Sequence, residues 1–135
     1  MKGWFVDRKA ELEDCIKMAE SVQVKMTGLS QGAGQLSGGN QQKVIIGRWL
    51  LTQPDVFILD EPTRGIDIGA KAEIYRLIME MAQQGKAIII VSSELPELMG
   101  ICDRAIIMSR GRITGEVDRV DFDEKKLLGY AFGNM

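Results

Sequence analysis

Apolar residues recur every three or four positions in three stretches of the chain, and this spacing predicts amphipathic helices. The first stretch runs from Arg8 to about Val22, and the second from about Gly39 to Thr52. The third runs from Ile66 to Gln84, with Gly85 as a suitable C-terminal stop. The residues expected on the apolar faces are, in order, Leu12, Cys15, Ile16, Ala19 and Val22; Ile45, Ile46, Trp49 and Leu50; and Ile74, Ile78, Met81 and Ala82.

Two short apolar runs follow the second and third helices, and polar residues close each of them. Asp55–Asp60 (DVFILD) and Ala87–Ser92 (AIIIVS) are continuous rather than alternating, which predicts strands buried on both faces, as in a parallel sheet. Ser93 is a candidate N-cap for a short helix over Glu94–Met99. Buried strands that alternate with helices indicate an α/β fold.

The C-terminal third of the chain has the pattern of a hairpin and a closing helix. Arg104–Ser109 and Arg112–Val117 flank the dipeptide Arg110-Gly111, and this arrangement predicts two antiparallel strands joined by a tight turn. A helix is predicted over Asp121–Phe132, whose first and fourth residues have capping-box spacing.

The composition indicates a globular protein, with 135 residues of which 45% are apolar and 27% charged. The net charge of -2 gives no basic field for nucleic acid, and we interpret the dispersed Lys and Arg residues as solvated faces. The longest apolar run is far shorter than the ~20 residues of a membrane span, and the N-terminus lacks an apolar signal core. Cys15 and Cys102 form no CxxC pair and are expected to be reduced. Without histidine, chemistry must rest on carboxylates, hydroxyls, amides or a metal.

Two adjacent glycines after a serine open the second helix, in the sequence LSGGNQQKV (Leu36–Val44). Backbone amides at a helix N-terminus form an anion site, and glycines allow a phosphate to approach them closely. We therefore interpret this segment as a candidate phosphate contact.

Acidic residues follow the first predicted strand, where ligands of open parallel sheets bind. Asp60 can hold Mg²⁺, directly or through water, and Glu61 can orient or deprotonate an attacking water. A lone acid would more simply end a strand, but an Asp-Glu pair before Pro62-Thr63 is more specific. Asp67 in RGID is either a helix cap or part of a loop between two active sites, and Ser93 is either a cap or a γ-phosphate contact.

The order of these segments resembles that of the ATP-binding cassette (ABC) ATPases. LSGGN resembles their signature motif, VFILDE their Walker B strand and RGID their D-loop, and Ser93 falls at the position of their switch histidine. The sequence LSGGNQQKV…LDEPTRGIDIGAK…VSSELPEL is similar to that of the second ATPase domain of fused bacterial sugar importers for ribose, galactose or xylose. The resemblance covers Leu36–Val117 and implies a partial P-loop NTPase (RecA-like) parallel sheet with helices, plus part of the ABC helical subdomain.

Roles for nine residues are implied by this resemblance. A serine at the switch position is shorter than histidine and carries no positive charge, which puts hydrolysis at the chain's own site in doubt. The implied roles are ATP contacts for Ser37, Gly38, Gly39, Asn40 and Gln41; Mg²⁺ binding for Asp60; and catalytic roles for Glu61, Asp67 and Ser93.

No G-x-x-x-x-G-K-[ST] phosphate loop occurs in the sequence. We therefore expect a C-terminal fragment of one nucleotide-binding domain, with residues 1–47 from the helical subdomain and 48–135 from the RecA-like core. The resemblance implies ATP and Mg²⁺ as cofactors. It also implies an N-terminal ATPase domain with Walker A, membrane permease subunits and, indirectly, a sugar-binding protein as partners, without nucleic acid. The implied location is the cytoplasmic face of the inner membrane, as a peripheral protein.

Two other functions stay open for the isolated chain. A non-catalytic interaction module would supply the signature motif in trans, and the missing phosphate loop favours it. An ATPase of DNA repair or translation would usually carry coiled-coil insertions or basic paired domains, which this sequence lacks. Whichever function holds, an incomplete sheet is expected to expose an edge and an apolar face, and the chain is therefore expected to self-associate or to be marginally stable.

Overall fold

The computed structural model describes residues 6–133, and their elements confirm a mixed α/β fold. The five helices are α1 Arg8–Ser21, α2 Gly38–Leu50, α3 Ile68–Gln83, α4 Leu95–Ile101 and α5 Glu124–Phe132. The four strands are β1 Val56–Asp60, β2 Ala87–Val91, β3 Arg104–Ser109 and β4 Arg112–Asp118. Short 3₁₀ turns lie at Ala33–Gln35 and Arg119–Asp121. Strands β1 and β2 form a two-stranded parallel sheet, and β3 and β4 form a second two-stranded sheet.

Contacts divide the chain into two compact units, with the division between Ile89 and Ile90 inside β2. We call them the N-terminal unit and the C-terminal unit. The expected division into subdomains at residue 47 is a different kind of boundary and stays a prediction.

Helix α3 supplies most of the buried hydrophobic side chains that the structure describes in the N-terminal unit. Ile74, Ile78 and Met81 are buried as predicted, Leu77 joins them, and Ala82 is exposed. Three hydrophobic residues outside α3 are also less than a tenth exposed in this unit: Val22, Ile46 and Phe57.

Helix α2 does not bury the face that its apolar residues predict. Ile45 and Trp49 are 49% and 55% exposed, whereas the buried positions are Gly39, Lys43, Ile46 and Gly47. The reason is close approach, because a Cβ at Gly39 would lie 2.5 Å from the Cβ of Ala70 in α3. The predicted apolar face of α2 is therefore wrong except at Ile46 and, in part, Leu50.

The predicted apolar face of α1 is also largely exposed. Leu12 is 51% and Ile16 is 41% exposed, and no residue within α1 is buried. Only Val22, at the C-cap position, enters the core. Within the described residues, α1 therefore contributes to the core only at its C-terminal end.

Burial of the strands on both faces is wrong for this chain. In β1, Phe57 is 4% exposed, but its neighbours Val56 and Ile58 are 53% and 70% exposed. In β2, Ile89 is 52% exposed. The continuous apolar runs thus have one open side among the described residues.

The C-terminal unit is a hairpin packed by α5. Arg110 (φ 50°) and Gly111 (φ 75°) both have the positive φ of a type I′ turn, which confirms the predicted hairpin. Its core is formed by Ala105, Val117 and Leu127, with Leu95, Met99, Ile107, Phe122 and Tyr130 packed against it. Gly115 leaves room for the ring of Tyr130, because a Cβ there would lie 2.6 Å from the ring carbon Cγ.

Two predicted helix caps in the C-terminal unit are wrong. Helix α4 begins at Leu95 with Glu94 at the N-cap position, so Ser93 does not cap it; instead the Glu94 amide donates to Ser92 Oγ at 3.0 Å. Helix α5 is capped by Asp123, whose carboxylate accepts from the Lys126 amide at 2.9 Å. The Asp121–Glu124 capping box does not form because Asp121 ends a 3₁₀ turn.

Both cysteines are free thiols, Cys15 exposed and Cys102 half-buried. Burial raises the pKa of Cys102, and the charges of Glu97 and Asp103 act in the same direction. Arg119 opposes this rise. Among the described residues, none of the helices combines the length and hydropathy needed to cross a bilayer.

Candidate functional site

The N-terminus of α2 carries the candidate phosphate contact. Helix α2 begins at Gly38, and Ser37 occupies the N-cap position with extended backbone angles (φ -61°, ψ 154°). The Ser37 side chain makes no capping hydrogen bond to its own helix. The first helical hydrogen bond runs from the Gln41 amide to the Ser37 carbonyl at 2.9 Å. The first-turn amides therefore retain the partial positive charge of a helix N-terminus.

Asn40 and Gln41, predicted as ATP contacts, bond to the chain itself. Asn40 Nδ2 donates to Ser37 Oγ at 2.9 Å, and Asn40 Oδ1 accepts from the Lys25 amide at 2.8 Å. Gln41 Nε2 donates to the Leu36 carbonyl at 2.9 Å. These bonds fix the loop that leads into α2.

The two glycines of the segment lie against the RGID loop. A Cβ at Gly38 would lie 3.2 Å from Cγ2 of Ile66, and one at Gly39 would overlap Ala70. Asp67 caps α3, since its carboxylate accepts from the Ala70 amide at 3.0 Å, which confirms the predicted cap. Ser37–Gly39 and Asp67 are thus brought onto neighbouring segments, while a role of Asp67 between two active sites stays a prediction.

Asp60 and Glu61 stand at the carboxyl end of β1. Asp60 is exposed, and Glu61 has a φ of 46°, which is uncommon for a residue other than glycine. The Glu61 carbonyl accepts from the Arg64 amide at 3.2 Å, and Thr63, between them, is 1% exposed. A tight turn anchored by a buried residue therefore sets the direction in which the Glu61 side chain leaves the strand. Such backbone conformations are concentrated at functional sites.

Asp60 is the carboxylate that would hold a magnesium ion at this strand end. Within residues 6–133 no group of three or more acidic, cysteine or histidine side chains is placed to hold a metal ion. Mg²⁺ needs no such group, because it retains waters and binds phosphate oxygens with one or two carboxylates. The exposed carboxylate of Asp60 at the strand end fits that requirement. Ser93 belongs to the C-terminal unit, where it is exposed.

Comparison with known proteins agrees with the resemblance to ABC ATPases that the sequence motifs indicated. The family model described as "ABC transporter" matches residues 5–64, which include the candidate phosphate contact and the Asp60–Glu61 pair. Across 134 residues the chain is 51% identical to a ribose/galactose/methyl galactoside import ATP-binding protein of Geobacillus kaustophilus. Residues 5–64 thus match the ABC transporter family, and the similarity to an import ATP-binding protein extends over almost the whole chain.

Two of the relatives show what share of their own length the chain covers. The Geobacillus match takes in 99% of this chain and 27% of the relative. A relative of the same name from Burkholderia lata is 54% identical over 92% of the chain and 24% of its own length. The chain therefore spans about a quarter of the length of the curated relatives it matches.

Solved cassettes confirm the fold. An ATP-binding cassette of an ABC transporter superposes with a TM-score of 0.80 and 25% identity, over 96% of this chain and 53% of that chain. A nucleotide-free cassette gives a TM-score of 0.79 and 26% identity, over 95% and 50%. The chain thus corresponds to about half of a solved ABC cassette.

A buried lysine links the signature helix α2 to α3, and sequence patterns missed it. Lys43 is 2% exposed, so its interpretation as part of a solvated face is wrong. Its Nζ donates to Glu73 Oε2 at 2.7 Å and to the Gln23 carbonyl at 3.0 Å. Lys25 Nζ donates to the other Glu73 oxygen at 3.0 Å. The hydrogen bond from Lys43, followed by that from Lys25, lowers the pKa of Glu73 to about 2.

A signal for this burial is present in the sequence. Lys43 lies four residues after Gly39 and four before Gly47, so the three share one helical face. A face with two glycines lets neighbouring helices approach, and a Cβ at Gly47 would lie 3.1 Å from Met18 Cγ of α1. A long cationic side chain between them is then enclosed and needs a carboxylate partner.

Proposed function

We propose that the chain is part of an ATP-hydrolysing subunit that energises carbohydrate import across the bacterial inner membrane. The observation that carries the proposal is the N-terminus of α2. There Ser37 leaves the first-turn amides without a side-chain cap, and two glycines follow it. The sugar-import names of relatives about half identical to the chain support the choice of substrate class.

Two different nucleotide sites would use the residues of this chain. Ser37, Gly38 and Gly39 would contact the phosphates of an ATP held by the phosphate loop of another domain. Asp60 and Glu61 would serve the ATP of the chain's own domain, with Asp60 holding Mg²⁺ and Glu61 orienting the attacking water. The bound Mg²⁺ would neutralise charge that develops on the phosphate oxygens.

Contact between the two sites would run through the RGID loop. Gly38 and Gly39 lie against Ile66 and Ala70, on either side of Asp67. Closure of a neighbouring domain on the candidate phosphate contact (Leu36–Val44, the signature segment) would therefore press on the loop that follows the Walker B strand. We propose this loop as the route between the sites.

The proposed partners follow from the function. They are an ATPase domain with a phosphate loop, membrane permease subunits and, through the permease, a sugar-binding protein. The chain would act at the cytoplasmic face of the membrane. Isolated, it would bind ATP weakly, because the phosphate loop provides most of the phosphate contacts.

A complementation assay tests this proposal. The chain is mixed with a separately produced segment that carries a phosphate loop and completes the cassette, and the ATPase rate is measured. We expect hydrolysis only in the mixture, and its loss with Glu61→Gln. An unchanged rate with Glu61→Gln would remove Glu61 from the mechanism, and micromolar binding of ATP-Mg²⁺ to the chain alone in calorimetry would contradict the weak-binding claim.

The second candidate is a non-catalytic module that supplies only the signature segment. Ser93 at the switch position favours it, because a serine hydroxyl lacks the charge of a protonated histidine. In the same mixture it predicts that Glu61→Gln has no effect while changes at Ser37 abolish hydrolysis.

A further inference from the structure

The side-chain amide of Asn40 has a defined orientation. Its oxygen faces the Lys25 amide at 2.8 Å, and its nitrogen faces Ser37 Oγ at 2.9 Å. A backbone N–H can only donate, so the group that faces Lys25 must be the oxygen. The NH₂ group is thereby directed at Ser37, and the usual ambiguity between the two amide orientations is removed.

This orientation restricts what the Ser37 hydroxyl can do. A hydroxyl has one proton to donate and two lone pairs to accept with. Asn40 donates to it, so Ser37 Oγ is the acceptor in that bond and keeps its own proton for another partner. No backbone amide of α2 donates to the Ser37 side chain.

We propose that Asn40 is a positioning residue of the signature segment, which holds the Ser37 hydroxyl as a hydrogen-bond donor toward a phosphate oxygen. The proposal rests on the proposed function of this segment. It gives Asn40 a different part from the direct ATP contact expected from the sequence. Ser37 and the first-turn amides meet the anion, and Asn40 sets the direction of the hydroxyl proton.

Two interactions fix the position of Lys25, whose backbone amide orients Asn40. Before it, the Val24 amide donates to the Ala19 carbonyl at 2.9 Å and closes the end of α1. Its own side chain reaches Glu73 of α3 at 3.0 Å. A path of hydrogen bonds thus leads from Glu73 through Lys25 and Asn40 to Ser37.

Asn40→Asp is the sharpest variant, because it keeps the shape and the acceptor for Lys25 but replaces NH₂ with a carboxylate oxygen. The Ser37 proton would then be drawn to that oxygen and lost to the phosphate. The probe is inorganic phosphate, added to the whole chain while the Gly38 and Gly39 amide shifts are followed by NMR. We expect the apparent Kd for phosphate to rise at least tenfold.

Gln42→Glu is the matched control, because it adds the same negative charge in the same turn without a bond to Ser37. We expect less than a threefold change in the phosphate Kd. Equal losses in the two variants would show that charge alone is responsible and would overturn the proposal. So would unchanged phosphate binding by Asn40→Asp. Circular dichroism of both variants checks that the helices are retained.

A second measurement needs no phosphate and separates this proposal from the proposed function. The pKa of the new carboxyl in Asn40→Asp is measured by NMR, with and without Ser37→Ala. If the hydroxyl donates to the carboxylate, removing it raises that pKa. A pKa that does not respond to Ser37→Ala would overturn the positioning role. Absence of any phosphate effect in the unchanged chain, with the pKa coupling intact, would instead count against the proposed function.

Discussion

Each of the two units contains a glycine against which a neighbouring element packs, but the side chains that surround the glycine differ between the units. In the N-terminal unit, Gly39 of α2 meets Ala70 of α3, and the buried Lys43–Glu73 pair joins the same two helices. In the C-terminal unit, Gly115 of β4 meets the Tyr130 ring of α5 above an apolar core. The first contact is rigid and charged, and the second is apolar and has a rotatable ring.

The difference bears on function because the first contact adjoins the candidate site at Ser37–Gly39. Ala70 has no rotatable side-chain bond that could make room, so the distance between α2 and α3 is set by Gly39. The same contact places the signature segment against the RGID loop. An apolar hairpin core can adjust its side chains, whereas this helix pair has few ways to adjust.

The largest expected effect is that of a methyl group at Gly39. Gly39→Ala places its Cβ 2.5 Å from the Ala70 Cβ, and we expect a loss of about 1–3 kcal/mol in the free energy of unfolding. Gly115→Ala should cost less, because the Tyr130 side chain can turn about χ1. Denaturant titrations of both variants measure the difference.

A compensating change sharpens that comparison. Adding Ala70→Gly to Gly39→Ala removes the overlap and should restore stability, apart from about 1 kcal/mol for a glycine within a helix. Gly100→Ala is the control, because a Cβ there meets no atom within 4 Å. If the double variant is no more stable than Gly39→Ala alone, close helix approach is not the cause.

The next effect concerns the charged pair. Glu73→Ala leaves the Lys43 ammonium buried without its carboxylate, whereas Lys43→Met leaves Glu73 with Lys25. We therefore expect Glu73→Ala to lower the melting temperature by several degrees more than Lys43→Met. Lys25→Met, which removes only the exposed pair, should have the smallest effect of the three. Equal melting temperatures for the first two variants would contradict this asymmetry.

Acid should remove the contribution of Glu73. Its folded pKa, about 2, lies below the ordinary value of 4.5, so the carboxylate stabilises the fold fully above about pH 4.5. That contribution is lost as the pH falls from 4.5 toward 2, because protonation breaks both ion pairs. The stability difference between the unchanged chain and Glu73→Gln should be constant above pH 5 and shrink below it. A difference that grows on acidification would contradict the assignment.

The smallest effect is a gain at the end of α1. Helices α1 and α3 end in the same way, with one residue of positive φ two positions after the last helical residue. That residue is Gln23 (φ 54°) after α1 and Gly85 (φ 86°) after α3. Gln23→Gly should stabilise the fold by about 0.5–1 kcal/mol, because the left-handed conformation is unstrained for glycine. Gln84→Gly, at a φ of -77°, should give no gain. Denaturant midpoints of the two variants compare them directly.

Sequence patterns predicted the elements well and the faces less well. Ile74, Ile78 and Met81 of α3 and the turn at Arg110-Gly111 follow local rules of periodicity and backbone conformation. These rules need no knowledge of the partner element. In α2, burial depends on how near α3 and α1 come to Gly39 and Gly47, which no spacing of apolar residues encodes. The open side of β1, with Ile58 exposed, depends on which elements pack beside the strand, and the apolar run itself does not encode that.

The candidate site shows the same division. The order of LSGGN, DE and RGID indicated the family from sequence alone, and the Asp67 cap was predictable from its position. The orientation of Asn40 was not, because it depends on a backbone N–H of Lys25, 15 residues away. The sequence shows that residue 40 is an asparagine, but only the fold shows that its amide nitrogen donates to Ser37 Oγ.

The most direct test of the account is the ATPase rate of the complemented mixture with a bulky cation at the signature serine. We predict that Ser37→Arg reduces the rate at least a hundredfold, since it blocks the N-terminus of α2 and removes the hydroxyl. Gln42→Arg, with the same added charge on the same helix, should retain most of the activity. A mixture that hydrolyses ATP equally well with Ser37→Arg would contradict the claim that this segment meets a nucleotide.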